Sequence, residues 1–136
     1  MRGFVFRLQR ALRFSILRED QKKSQIANAL KRITFLETYL KKLAMQMRTA
    51  LQQSHESVNS LESEASRQWI VPNLEESKRL SALLVEEKQA LEERKKELVR
   101  LSQRRRSLES LQEKQRGDYR VEKSRREQKK PDVEVT

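Results

Sequence analysis

One short stretch constrains this 136-residue chain more than any other: Trp69-Ile70-Val71-Pro72-Asn73. It is the only place before the C-terminus where a long helical pattern meets a residue that should stop it. Pro72 has no backbone N–H, its ring clashes with the preceding turn, and it disfavours helical backbone at Val71. Asn73 is a good N-cap with Glu76 three residues on, close to a capping box. These residues predict a helix over about 3–69, a turn over about 70–73, a second helix over about 74–130 and a flexible tail over 131–136. Two arms of similar length joined by so short a turn predict an all-α fold. It is a long antiparallel two-helix coiled-coil hairpin, and a single domain over 1–136.

The periodicity of the arms supports this. Ile26, Ile33, Leu40, Met47 and Leu61 fall seven or fourteen apart, with Ser54 as the polar member. Leu30, Leu36, Leu43, Leu51, Val58 and Ala65 fill adjoining positions, as a coiled-coil arm requires. The second arm carries Leu80, Leu84, Leu91, Leu98, Leu101, Leu108 and Leu111. Its seam is thinner, because Glu87, Arg94 and Arg105 take core or near-core positions, where long side chains lay their stems over the seam. With a turn centred near Val71, position i faces a position near 143 minus i. Leu40 then lies near Gln103 and Ile33 near Ser110, and the first dozen residues run past the second arm. That leaves Phe4, Phe6 and Leu8 without an intramolecular partner, as a docking surface would be. Residues 19–25 interrupt the apolar stripe and read as a solvated stretch of seam. Gly117 weakens the helix by roughly 1 kcal/mol relative to Ala and marks a bend, and Pro131 ends the helix.

Composition excludes several classes of function. Charged residues make up 38% of the chain and aromatics 5%, with only two Gly and two Pro, which argues for long helices over a globule. There is no Cys and a single His, His55, so a disulfide framework, a Cys-based metal site and a His-rich metal site are out. Gly3 and Gly117 cannot build a phosphate-binding loop, and a two-helix hairpin gathers no catalytic pocket. The chain reads as not an enzyme, with no cofactor, no metal and no small-molecule substrate.

The net charge of +11 is unevenly spread: +5 over 1–23, −1 over 24–93, +9 over 94–130 and −2 over the last six residues. An antiparallel hairpin brings both basic segments to one end, which suits an acidic protein surface, nucleic acid or anionic lipid. Residues 1–18 hold five Arg and no acid, with Val5, Leu8, Leu12 and Ile16 at helical spacing. A mitochondrial-type presequence and a surface-lying membrane helix compete for this segment, and no stretch is long and apolar enough to span a bilayer. Arg104-Arg105-Arg106 and Arg125-Arg126 suit phosphates, but Tyr119 is the only aromatic over 70–136. Stacking-based recognition of single strands is therefore disfavoured, and the central turn does not suit a basic-region zipper.

The two ends of the chain carry a resemblance. The opening Phe4-Val5-Phe6-Arg7-Leu8-Gln9-Arg10-Ala11-Leu12 is similar to the start of the flagellar export protein FliJ family. So is the closing run, with Arg104-Arg105-Arg106, Leu108-Glu109, Leu111-Gln112-Glu113-Lys114, Asp118-Tyr119-Arg120 and Arg126-Glu127-Gln128-Lys129. Order, spacing and chain length match; the middle resembles the family only as any coiled coil would, and Pro131-Asp132 departs from its more helical, acidic ending.

The resemblance implies a stalk-like antiparallel coiled coil, similar to the central stalk of rotary ATPases. It would sit in the pore of the hexameric flagellar export ATPase (FliI-like) and promote its assembly or activity. It would also engage the export gate protein (FlhA-like) and have a link to export chaperones, in the cytoplasm at the inner membrane of the flagellar base. Carried over by position, the ring-binding residues would be Phe4, Phe6, Leu8, Leu12, Arg105, Leu108, Leu111, Tyr119 and Arg126. Competing readings are a nucleic-acid-binding basic coiled coil, an injectisome-type secretion stalk and a parallel homodimeric spacer.

Overall fold

The computed structural model describes residues 3–56 and 60–134. Among them are two helices and no strand: α1, Gln9–Glu56, and α2, Ser60–Glu134. The helices pack against each other, so the all-α helical hairpin expected from the periodicity is what the chain forms. The chain divides into two compact units, one built from residues 1–23 and 96–136, the other from 24–95.

The position of the turn is corrected. α1 ends at Glu56, and α2 runs without interruption through Pro72 and on through Pro131 to Glu134. Residues 70–73 are therefore helix interior, and neither the stop near Trp69 nor the start at Leu74 exists. The exposed ring of Pro72 removes one donor, the one that Gln68 would use. One residue on, Asn73 Nδ2 donates to the Trp69 carbonyl at 2.6 Å. Pro131 likewise removes a single bond and does not forbid the last turn. The connection falls between Glu56 and Ser60, and Val58, expected in the seam, lies outside the described residues. Gly117 is helical, with no positive φ. At the other end α1 starts at Gln9 and not near residue 3, after a tight turn in which the Gln9 N–H donates to the Phe6 carbonyl at 3.1 Å.

Residues 24–95 hold the apolar core. Ala29, Ile33 and Leu91 form a buried cluster, with Ile26 and Leu84 packed against it. Ala29 is wholly buried, which a small side chain permits where two helices approach closely. Each large aliphatic side chain withdrawn here contributes about 1.5–3 kcal/mol. Ion pairs flank the seam, Arg32 with Glu87 at 3.6 Å and Lys88 with Glu37 at 3.0 Å. Near the connection Ser63 Oγ donates to the Ser54 carbonyl at 3.3 Å. The two residue numbers in the flanking pairs add to 119 and 125, not 143, so Ile33 lies against Leu91 and not beside Ser110.

Residues 1–23 and 96–136 form a unit whose seam is largely polar. Phe6 and Leu12 are buried, but so are Ser15 and Glu19. The seam follows the sevens back from Ile26 through Glu19 to Leu12, and so leaves Val5 and Ile16 exposed. Residues 20, 21 and 23–25 are exposed, as expected of a solvated stretch, but its two seam positions are covered: Glu19 retains 4% of its exposure, and Lys22 Nζ pairs with Glu97 at 2.6 Å. Here the pairs Glu19–Ser102, Glu19–Arg105 and Gln9–Gln112 add to between 121 and 124. In each unit the register is about twenty residues from the one that a turn at Pro72 would impose.

Candidate partner-binding site

The residues singled out at the two ends of the sequence meet in this polar-seamed unit. Gln112 Nε2 donates to Gln9 Oε1 at 3.0 Å. The ring of Phe4 lies 5.8 Å from that of Tyr119, tilted by 47°, and the Arg116 guanidinium sits 5.6 Å from the Phe4 centroid. Two tilted rings and a cation over one of them make a compact aromatic–cation contact.

That arrangement corrects the expectation that Phe4, Phe6 and Leu8 lack an intramolecular partner. With the connection before Ser60, α2 is long enough to cover the N-terminal segment. Phe4 is half-buried, Phe6 retains 4% of its exposure, and Leu8 is exposed. Leu12 is buried as well. Phe6 and Leu12 therefore hold the unit together and present no surface to another molecule. On α2, Leu108 is half-buried and Leu111 exposed at the rim of the seam. Arg126 is fully on the surface, paired with Glu122 at 2.9 Å, in a stretch whose residues 121–128 are all exposed.

Arg105 is turned inward. Its Nε donates to Glu19 Oε2, its Nη1 donates to both oxygens of Glu109 at 3.0 Å, and the Ser102 hydroxyl donates to Glu19 Oε1 at 2.9 Å. Lys23 adds a longer pairing to Glu19 at 3.6 Å. The hydrogen bond from Arg105 holds the Glu19 carboxyl below its ordinary range against the opposing effect of burial, and the same bond raises Arg105. Of the three consecutive arginines, Arg104 and Arg106 are the exposed ones. Glu19 was missed as a partner although a signal existed: it stands seven residues before Ile26, in seam phase, and a seam acid needs a seam base.

Charge separates the units. Residues 1–23 and 96–136 together carry 20 Lys/Arg against 10 acids, whereas residues 24–95 carry 11 against 10. The second unit offers a different surface, an open groove of about 830 Å³ between α1 and α2 with Met45, Ala50, Ala65 and Trp69 in its lining and Lys41 and Lys42 beside them. Sequence reasoning did not find it, since Trp69 was placed at a helix end and not in the interior of α2. Among the described residues no group of three or more His, Cys, Asp or Glu is placed to hold a metal ion. No described helix is long and apolar enough to cross a membrane. No known protein family, curated protein or solved structure matches the chain.

Proposed function

We propose that this chain is a non-enzymatic stalk of a flagellar-type protein-export apparatus, which engages the export ATPase ring and the export gate and promotes hydrolysis and export. One observation carries this reading. The two end segments that resemble the FliJ family, more than a hundred residues apart, pack on each other through Gln9–Gln112 and Phe4–Tyr119 in a single strongly basic unit. In that unit Leu8, Leu111 and Arg126, with Arg104 and Arg106, supply the surface that meets the ring. Phe4, Phe6, Leu12, Arg105 and Tyr119 supply the packing beneath it. The groove around Met45 and Trp69 belongs to the other unit and is the surface left for the gate.

The test is hydrolysis by a purified flagellar-type export ATPase titrated with this protein at two salt concentrations. A saturable rise is expected. Leu8→Asp with Leu111→Asp should abolish it while circular dichroism shows the helices intact, because both side chains lie at the surface. Removing residues 105–136 is a poorer probe, since it also strips Glu19 of its partner. No rise at any concentration overturns the reading.

The uneven charge favours a second reading, a nucleic-acid-binding coiled coil that uses Arg104, Arg106, Lys123 and Arg125. It predicts tight binding to duplex or single strands that falls steeply with salt.

A further inference from the structure

α1 has a second face that neither the hairpin seam nor the stalk reading uses. Leu12, Ser15, Glu19 and Lys22 point into the seam. On the opposite side, at spacings of three and four, run Arg10, Phe14, Leu17 and Gln21, flanked by Arg13 and Arg18. Phe14 and Leu17 keep 56% and 53% of their exposure, large values for two apolar side chains one turn apart. The guanidinium of Arg18 lies 5.7 Å from the Phe14 ring centroid. None of Arg10, Arg13 and Arg18 is in an ion pair among the described residues.

Two further facts select the kind of partner. No acidic residue occupies the first turn of α1, where Arg10 and Arg13 stand near the positive pole of the helix. Cations there are electrostatically unfavourable until an anion approaches. The face also places apolar groups at its centre and long cations at its edges. That is the cross-section of a helix lying in the headgroup layer, with its rings entering the acyl boundary and its guanidinium groups reaching phosphates. A nucleic-acid contact would use the arginines and leave Leu17 without purpose.

We infer that this outer face of α1, Arg10, Arg13, Phe14, Leu17 and Arg18, docks the protein on an anionic lipid bilayer. Each arginine held near such a surface strengthens binding roughly fivefold, and Phe14 and Leu17 add an apolar share that salt does not screen. The inference is independent of the stalk reading, and its test uses the full chain with no ATPase present, so either can fail alone.

The experiment is co-sedimentation with vesicles of phosphatidylcholine alone and of phosphatidylcholine with about one phosphatidylglycerol in three, the anionic lipid supplying the surface potential. Binding to the mixed vesicles only, weakened by salt, is expected. Arg10→Glu with Arg13→Glu should lower it by more than about thirtyfold, since two attractions are lost and two repulsions are added. Phe14→Ser with Leu17→Ser should leave a weaker, wholly salt-sensitive residue of binding, and Arg10→Lys with Arg13→Lys should retain most of it. All of these side chains face away from the seam, and circular dichroism checks that the helices persist. Absence of binding by the native chain overturns the inference. So does binding that the glutamate pair leaves unchanged, or loss on that pair of DNA or RNA binding only.

Discussion

The carboxylate of Glu19 and the guanidinium of Arg105, 86 residues apart in sequence, form an ion pair inside the helix–helix seam, with Ser102 and Glu109 completing the hydrogen bonds. A seam ion pair is a weak source of net stability, because desolvation offsets much of the attraction. Its specificity is greater: slipping either helix by one heptad leaves a buried charge with no partner. Glu19→Leu and Arg105→Leu alone should each lower the melting temperature. The double substitution should recover most of the loss, as two aliphatic side chains then share the seam. A double mutant destabilised by as much as the sum of the two singles, with no coupling in the thermal cycle, contradicts this account.

The same pair sets a pH dependence. Glu19 is held below its ordinary value in the fold, chiefly by the hydrogen bond from Arg105. The folded chain therefore binds fewer protons than the unfolded one in acid, and the contribution of the group is complete above the unfolded value. It is lost as pH falls through the folded one. Melting followed by circular dichroism should be insensitive to this group above about pH 5 and weaken below about pH 4. In Glu19→Gln the acid weakening should be smaller, and the melting temperature near neutrality already lower.

Much of the fold is legible in the residues. The sevens from Ile26 to Met47 mark the seam of α1, with Ile33 buried among them and Leu43 buried among the adjoining positions, whereas Leu30, Leu51 and Leu61, expected in the seam, are exposed. The register is not legible from the strongest local signal. One internal proline opposes a helix by about 3 kcal/mol, whereas the register decides whether Ile33 meets Leu91 or Ser110 and whether Glu19 meets Arg105 at all. Summed over the seam, those matches outweigh the proline. The site suffered in the same way. Phe4, Phe6 and Leu12 were recognisable as apolar residues of the N-terminal segment, but a wrong register left Phe4 and Phe6 without partners.

Register is directly measurable, because the chain has no cysteine of its own. Cysteines introduced at Gln9 and Gln112 should be joined within one chain by a short bismaleimide, since those two side chains meet across the seam. Cysteines at Ile33 and Ser110 should not be joined. A parallel homodimer would instead give Gln9-to-Gln9 products between chains, read as a doubled mass on denaturing gels.

The apolar cluster of residues 24–95 predicts where truncation is most damaging. Ile33→Ala removes a buried side chain that packs in the cluster of Ala29 and Leu91 and should cost about 2–4 kcal/mol in urea unfolding. Phe35→Ala, two residues away, deletes a larger but exposed ring stacked on Tyr39 at 6.5 Å. Its cost should stay within about 1 kcal/mol. Equal losses at the two positions would mean that the seam does not run through Ile33.

Pro72 gives the sharpest contrast between a turn and a helix. In a turn, its fixed φ limits the unfolded chain and Pro72→Ala would be neutral or destabilising. Within α2 the residue removes a backbone donor and crowds the preceding turn, with its ring in water and no packing in return. Pro72→Ala should therefore raise the unfolding free energy by about 1–3 kcal/mol. Asn73→Ala removes the side-chain bond to the Trp69 carbonyl and should cost about 1 kcal/mol in the native background. That cost should persist once Pro72 is replaced, because the donor that Pro72 lacks is the one for the Gln68 carbonyl and not for Trp69. A drop in stability on Pro72→Ala would return the turn to residues 70–73 and, with it, the register that leaves the N-terminal residues uncovered.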